Sequence, residues 1–323
     1  MGEFELIRRH FQRATPPAGD SAVVLGIGDD CALLQPSPGH QLAISSDMLV
    51  EGRHFFPDVD PEALGHKALA VNLSDLAAMG ARPLGFTLAL ALPHADGDWL
   101  ARFAQGLFAL ADAHACPLVG GDTTRGPLNL CITVFGEVRP GRALRRDAAR
   151  AGDDLYVSGR TGEARLALEQ LRGTAWAGAA VDAEARARLE RPTPRNALGV
   201  ALAATPGVHA AIDLSDGLAG DLGHLLQASG VGAEIDLPDL PVASILHGLP
   251  EAHRLECLLA GGDDYELLFT AAPEARAAVA QASADSGTPV TRIGRVTATP
   301  GLRLLDAAGQ ERPLDAVGFD HFA

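Results

Sequence analysis

The chain has 323 residues, of which 47% are hydrophobic, and its formal net charge is −15. This length is long for one domain, so we expect two domains, each with its own apolar core. So acidic a chain is a poor partner for nucleic acid, because binding to a phosphate backbone needs a basic surface. Neither a membrane-spanning apolar run nor a signal-peptide pattern is evident, so we expect a cytoplasmic protein.

Common nucleotide-binding motifs do not explain the sequence. The one lysine, Lys67, lies in neither a glycine-rich phosphate loop nor a kinase strand motif. The segment GIGDD at residues 26–30 lacks the third glycine of a dinucleotide fingerprint, and two carboxylates stand where a pyrophosphate needs donors. The four cysteines lack the paired spacing of a zinc site and are predicted to be core residues in a reducing compartment.

The apolar pattern of the N-terminal half predicts strands that alternate with helices. The predicted strands are residues 22–26, 41–45, 84–92, 117–119 and 129–138. One predicted helix has Asp60 as its N-cap, begins at Pro61 and stops at Gly80. A second helix is predicted to run from near Asp98 toward Ala115.

The C-terminal half shows the same alternation after a connecting segment rich in Arg, Ala and Gly at residues 139–152. Strands are predicted at residues 154–158, 208–213, 231–237, 265–270 and 289–296, and helices at residues 163–171, 182–190 and 218–228. We therefore predict an α/β (α+β) fold with domains at residues 1–148 and 149–323.

Acidic residues gather where the predicted strands end. Glycine, aspartate, serine or threonine forms five such loops, at residues 28–30, 45–47, 120–124, 213–217 and 261–264. One loop of this kind is an ordinary turn or helix cap. Five together indicate a shared role in ligand binding.

Asp75 is unusual because its helix is otherwise apolar or built of small residues. A buried carboxylate is usually paired or bound to a metal, so we favour a role as a ligand. The alternative is a narrow exposed stripe that Asp75 shares with Asn72.

Clustered carboxylates and hydroxyls suit Mg²⁺, which takes oxygen ligands and bridges protein to phosphates. Bound magnesium would let an acidic protein hold an anionic nucleotide.

The ordered set of motifs closely resembles the thiamine-monophosphate kinases. The motifs are GIGDDCA at 26–32, SSD at 45–47, NLSDLAAMG at 72–80, LVGGDTT at 118–124, IDLSDGL at 212–218, GGDDYEL at 261–267 and GFDHF at 318–322. The resemblance covers nearly the whole chain. It implies a two-domain fold like that of aminoimidazole ribonucleotide synthetase and selenophosphate synthetase. In that fold the N-terminal sheet domain binds ATP and Mg²⁺ and forms a homodimer, and the C-terminal α/β domain completes the active site.

The resemblance also implies a role for individual residues. It makes magnesium ligands of Asp30, Ser45, Ser46, Asp47, Asp75, Asp122, Asp213 and Asp216. It makes ATP contacts of Gly121, Asp122, Arg146, Ser215 and His114, and thiamine monophosphate contacts of His54, Asp263 and Phe319. Arg146 could instead be one of several solvated linker arginines, and His54 an ordinary loop histidine.

The family usually has Glu at position 263, Tyr or Trp at position 319, Tyr at position 114 and Thr at position 46, where this chain has Asp, Phe, His and Ser.

The implied reaction is direct in-line transfer of the γ-phosphoryl group of ATP to thiamine monophosphate. The alternatives are a related ATP-dependent synthetase that phosphorylates an amide or selenide, a nucleotide sensor without turnover, and a metal-dependent phosphatase.

Overall fold

The computed structural model describes residues 3–13 and 21–313. The chain divides into two compact units: unit 1 is Met1–Leu76 with Ala81–Gly141, and unit 2 is Ala77–Gly80 with Arg142–Ala323. The domain boundary predicted at residue 148 lies shortly after the end of unit 1. Within the described ranges, no helix is long and apolar enough to cross a membrane.

Unit 1 is built around a four-stranded sheet with the strand order β3-β6-β4-β5. The elements are α1 (Glu3–His10), β1 (Val23–Leu25), β2 (Leu33–Leu34), β3 (Gln41–Val50), α2 (Pro61–Ala78), β4 (Arg82–Leu92), α3 (Gly97–Ala113), β5 (Leu118–Arg125) and β6 (Asn129–Val138). Strands β4 and β5 are parallel, and the other neighbours are antiparallel. Burial alternates along β6, where Leu130, Ile132 and Val134 are buried, so one face of the sheet belongs to the core.

Helices α2 and α3 approach each other closely at two glycines. A Cβ on Gly65 would lie 2.0 Å from the carbonyl oxygen of Phe103, and one on Gly106 would lie 1.8 Å from that of Glu62. Neither position therefore accepts a side chain while the helices stay where they are. This close contact fixes α2, which carries Asp75, against α3.

Unit 2 contains a seven-stranded sheet with the strand order β13-β12-β9-β11-β7-β10-β8. The elements are β7 (Asp154–Ser158), α4 (Glu163–Leu171), α5 (Ala183–Glu190), α6 (Asn196–Ala204), β8 (Val208–Asp213), α7 (Leu218–Ser229), β9 (Gly232–Asp236), α8 (Glu251–Ala260), β10 (Leu267–Ala271), α9 (Arg276–Ser286), β11 (Val290–Thr297), β12 (Gly301–Leu305) and β13 (Glu311–Arg312). The β12–β9 pair is parallel, and the other pairs are antiparallel.

Apolar clusters cover both faces of this sheet. Leu155 and Val157 of β7 belong to a cluster with α7 and α8, whereas Tyr156 between them packs in a second cluster with α6 and α9. Alternate residues of β7 thus point into different cores, which is why all five of its residues are buried.

Candidate active site

In unit 1, helix α2 holds strand β3 through two polar side chains. The Asn72 Oδ1 accepts a hydrogen bond from the Asp47 N–H at 2.9 Å. The Ser45 hydroxyl donates to the Asp75 Oδ2 at 2.5 Å. Asn72 is buried and Asp75 is partly exposed. The alternative of an exposed stripe shared by the two residues is therefore wrong for Asn72. Asp75 instead lies beside a serine of the predicted SSD loop.

The three residues of that loop belong to strand β3 and alternate between its faces. Ser45 and Asp47 contact α2. The Ser46 hydroxyl lies on the other face, where it bonds to the Ile132 carbonyl oxygen at 3.1 Å and to the Thr133 hydroxyl at 3.0 Å. The side chains of Ser45 and Ser46 therefore do not point into the same space.

Asp47 of β3 pairs with Ile132 of β6, which pairs with Leu88 of β4, and Leu88 pairs with Gly121 of β5. Asp47 and Gly121 therefore lie at the two ends of one row across the sheet. Three strand spacings separate them by about 14 Å. A Cβ on Gly121 would lie 1.9 Å from the Leu88 carbonyl oxygen, so only glycine fits. Asp122, the next residue, is exposed.

Asp30 is also exposed, in a loop where its N–H donates to the Asp29 Oδ1 at 2.9 Å. Among the residues that the structure describes, no three His, Cys, Asp or Glu side chains already form a metal-binding group. The acidic residues of unit 1 thus lie at separate points of one sheet and its loops.

Two histidines predicted to touch the substrates lie in unit 1. The His54 Nδ1 accepts a hydrogen bond from the Val50 N–H at 3.0 Å, so the neutral ring carries its proton on Nε2. The Lys67 ammonium lies 3.5 Å from the His54 carbonyl oxygen. His114 follows the last turn of α3. Burial, and then the charge of His66, lower the pKa of His114, which favours a neutral ring.

In unit 2, the IDLSDGL and GGDDYEL segments are joined backbone to backbone. The Asp263 N–H donates to the Ser215 carbonyl oxygen at 2.9 Å, and the Tyr265 N–H donates to that of Leu214 at 2.8 Å. The Leu214 N–H in turn donates to the Glu266 carbonyl oxygen at 2.9 Å. These bonds bring Asp263 beside the loop that carries Asp213, Ser215 and Asp216.

Asp221 is a residue of this loop region that sequence reasoning missed. It lies in the first turn of α7, is 3% exposed, and accepts a hydrogen bond from the Asp216 N–H at 3.0 Å. Burial raises the pKa of Asp221 to about 7, and the nearby Arg146 acts in the opposite direction. An aspartate in a leucine-rich helix was the available signal, the same one that drew attention to Asp75.

The remaining predicted residues of unit 2 differ in exposure. Asp213, the last residue of β8, is buried, whereas Arg146 is exposed in a short 3₁₀ turn. The Arg146 carbonyl oxygen accepts a hydrogen bond from the Ser229 hydroxyl at 2.7 Å, which fixes its backbone. Phe319 lies outside the described residues.

Comparison with known proteins identifies the family. Residues 28–138 match AIR synthase related protein, N-terminal domain, and residues 150–307 match the corresponding C-terminal domain. The thiamine-monophosphate kinase of Escherichia coli (strain K12) is 47% identical over 325 residues, covering 100% of this chain and 98% of that protein. The chain belongs to the thiamine-monophosphate kinase family.

Solved structures of thiamine-monophosphate kinases share the fold. The enzyme from Stenotrophomonas maltophilia K279a matches with a TM-score of 0.83 at 47% identity, covering 91% of this chain and 93% of that one. AaThiL complexed with AMPPCP and TMP matches with a TM-score of 0.76 at 31% identity, covering 89% of both chains. The predicted resemblance and the predicted two-domain α/β fold are thereby confirmed.

The side chains of this thiamine-monophosphate kinase family member fit Mg²⁺ chemically. The predicted ligands are carboxylates and hydroxyls, without Cys or His. In the structure Asp75 and Ser45 already place two such oxygens side by side, although α2 is otherwise almost entirely buried. A cation would be a suitable additional partner for that carboxylate.

Proposed function

We propose that this chain catalyses the last step of thiamine diphosphate biosynthesis, the ATP-dependent phosphorylation of thiamine monophosphate. The full-length 47% identity to the E. coli thiamine-monophosphate kinase carries the proposal. The AaThiL complex with AMPPCP and TMP supports the same pair of substrates. ATP is a co-substrate, and the transfer proceeds in line without a covalent enzyme intermediate.

The terminal phosphate of thiamine monophosphate is already a nucleophile at neutral pH, so a general base is unnecessary. The protein holds the two phosphate groups in line and offsets the repulsion between them. Bound magnesium ions supply the positive charge that neutralises the phosphate oxygens. In unit 1, Asp30, Ser45, Asp47, Asp75 and Asp122 would hold these ions, and in unit 2 Asp213 and Asp216 would do so. The Ser46 hydroxyl is left out of this set, because it lies on the other face of β3. Asp122 of β5 lies three strand spacings, about 14 Å, from Asp47 of β3, which supports several ions rather than one.

Five residues are proposed to contact ATP. In unit 1, Gly121 and Asp122 of β5 contact ATP, and glycine at position 121 is also required by packing, since a Cβ there would meet the Leu88 carbonyl oxygen. The neutral ring of His114 contacts the adenine. In unit 2, Arg146 donates from its guanidinium to the ATP phosphates, and Ser215 makes a further nucleotide contact.

Substrate recognition rests on His54, Asp263 and Phe319. The Nε2–H of His54 is a donor suited to a phosphate oxygen, because Nδ1 is already occupied by Val50. Asp263 offers a carboxylate to the cationic thiamine. Phe319 stacks on the thiamine rings, and Phe keeps the aromatic face while losing the polar group of Tyr or Trp.

An exposed apolar surface supports a homodimer. Leu42, Ile44 and Met48 are 46%, 59% and 56% exposed and lie on one face of β3, an edge strand of the unit 1 sheet. Exposed apolar patches of this kind mark interaction sites, and we assign this one to a second copy of the chain. A cytoplasmic location agrees with the four free cysteines.

Incubation of the purified protein with ATP, Mg²⁺ and thiamine monophosphate tests the proposal directly. We expect thiamine diphosphate and ADP to form in equal amounts, identified by chromatography against standards. Phosphorylation of an amide or selenide instead would indicate one of the related synthetases. ATP binding without turnover would indicate a sensor, and release of inorganic phosphate alone would indicate a phosphatase.

A further inference from the structure

Glu266, three residues after Asp263, is a fully buried carboxylate without an assigned role. Its two oxygens accept hydrogen bonds from Arg195 Nε at 2.7 Å and Arg195 Nη2 at 2.5 Å. Arg188 Nη2 donates at 2.8 Å and the Ser158 hydroxyl at 2.6 Å. Ion pairs buried to this degree persist only when hydrogen bonds satisfy every charged atom. We call these four residues the Glu266 clamp.

The turn just before Glu266 is strained. Asp263 has φ +65° and Tyr265 has φ +49°, although neither is a glycine. Such left-handed conformations are uncommon for residues with a Cβ and persist only where the surroundings impose them. Two such residues flank the buried Asp264.

Bonds on both sides impose this conformation. The backbone N–H groups of Asp263 and Tyr265 donate to the IDLSDGL loop, as described above. On the other side, the Asp264 carboxylate accepts from the Gly162 N–H at 3.0 and 3.1 Å, and the clamp holds Glu266. The turn is therefore held on one side by backbone hydrogen bonds and on the other side by the bonded carboxylates of Asp264 and Glu266.

Both arginines reach Glu266 from segments outside these motifs: Arg188 belongs to α5, and Arg195 directly precedes α6. Their side chains are 22% and 14% exposed, so they are largely withdrawn from solvent. A Cβ on Gly159 would lie 2.1 Å from Glu266 Oε1, so the space for this carboxylate also depends on a glycine.

We infer that Arg188 and Arg195 are positioning residues for the thiamine monophosphate site. By fixing Glu266 they hold Asp263 in its left-handed conformation, with its carboxylate where the substrate binds. This inference rests on the proposed function, because Asp263 is the substrate contact through which they act. A lysine cannot replace Arg195, since it lacks the planar fork that donates to both oxygens.

The test compares Arg195→Lys with Arg186→Lys. Arg186 lies on α5 and pairs with Glu190, which is more exposed than Glu266, at 2.9 Å, so its replacement is a matched control. We expect Arg195→Lys to raise the KM for thiamine monophosphate by about tenfold, because a misplaced binding group weakens substrate positioning. The KM for ATP should change much less, and Arg186→Lys should leave both constants unchanged. Equal increases in both constants with a lowered Tm would overturn the inference and make the clamp purely structural.

A double-mutant cycle with Asp263→Asn asks whether Arg195 acts through Asp263. Asparagine tolerates the left-handed conformation but lacks the charge. We expect Arg195→Lys to add little to the KM effect of Asp263→Asn, because coupled residues are not additive. Fully additive effects contradict the inference.

Hydrogen exchange separates failure of this inference from failure of the proposed function. In Arg195→Lys the amides of Asp263 and Tyr265 should exchange faster than in the unmodified protein and in Arg186→Lys. Unchanged exchange would refute the clamp even if the enzyme is active. If the unmodified protein forms no thiamine diphosphate, the proposed function fails, whatever the exchange rates show.

Discussion

At the scale of single residues, Asp75 is the most exacting test of the metal site. Asp75→Asn keeps the size of the side chain and can still accept from Ser45, but it removes the charge. We expect turnover to fall by on the order of a hundredfold or more, because charge neutralisation at the phosphates is impaired. Steady-state kinetics with ATP and thiamine monophosphate measure this loss.

The matched control is Asp112→Asn, an exposed aspartate on α3 that pairs with Arg13. It should leave turnover unchanged. Without metal, Asp75→Asn should be at least as stable as the unmodified protein, since a partly buried charge is gone. Near-normal turnover in Asp75→Asn would remove Asp75 from the metal site.

Phe319 is a prediction from the sequence alone. Phe319→Ala should raise the KM for thiamine monophosphate far more than that for ATP, because a stacking face is lost. Phe322→Ala serves as the control, with kinetics and Tm measured for both variants. If both substrates weaken in parallel and the Tm drops strongly, Phe319 is a packing residue only.

At the scale of elements, the crossing of α2 and α3 makes Gly106 irreplaceable. Gly106→Ala should lower the free energy of unfolding by about 3 kcal/mol, because the added methyl meets the Glu62 carbonyl oxygen. Gly97 at the start of the same helix has open space around it. Gly97→Ala should be neutral or stabilise by about 0.5 kcal/mol. Urea unfolding compares the two variants. Equal changes in the free energy of unfolding would mean that α2 and α3 move apart easily.

The start of α9 gives a pH-dependent prediction. Arg276, its first residue, donates to Asp154 at 2.6 and 2.8 Å, and this bond is the main cause that holds the pKa of Asp154 below its ordinary value. A carboxyl group whose pKa is lower in the folded than in the unfolded protein stabilises the fold at pH values above its pKa in the unfolded protein. This stabilisation is lost as the pH falls through its pKa in the folded protein.

Arg276→Gln should therefore destabilise the protein most at neutral pH, with a difference that shrinks below about pH 4. Urea unfolding at several pH values measures this difference. Arg145→Gln, which breaks an exposed pair with Asp147, should cost little at any pH. A difference for Arg276→Gln that does not depend on pH would contradict the assignment.

At the scale of the whole molecule, apolar strands and capped helices were predictable from the sequence. Strands β6, β7 and β8 and helix α4 have the predicted bounds, and α2 begins at Pro61 as predicted. These segments carry a clear local signal in apolar alternation or capping. Helix α6 was missed because it follows two prolines closely, and α9 because its alanine-rich sequence has little apolar periodicity.

The site was predictable as a set of motifs but not as a geometry, since two of the five predicted loops, residues 45–47 and 120–124, lie within strands β3 and β5. The motifs named Asp75 and Ser45, whereas their contact depends on how α2 packs on β3. The left-handed turn at Asp263 and its anchors at Arg188 and Arg195 come from residues far apart in the chain. Such contacts have no local pattern, so only the fold reveals them.

The exposed face of β3 predicts the oligomeric state. Ile44→Asp should convert the proposed homodimer into a monomer, because a buried unpaired charge at an interface is costly. Light scattering after gel filtration measures the mass. Val200→Asp, at an exposed apolar residue of unit 2, is the control and should remain dimeric. A dimer that survives Ile44→Asp would place the interface elsewhere.

The strand order of unit 2 also bears on how the protein is made. Strand β7 has β10 and β11 as its neighbours, and Ser158 of β7 lies 108 positions before Glu266, next to β10. During synthesis β7 therefore leaves the ribosome long before either partner exists, with five apolar or core residues unpaired. The unit 1 sheet, by contrast, has all its strands once Val138 has emerged. Long-range pairing is slow and exposes strand edges, so β7 is the segment on which we expect nascent-chain chaperones to act.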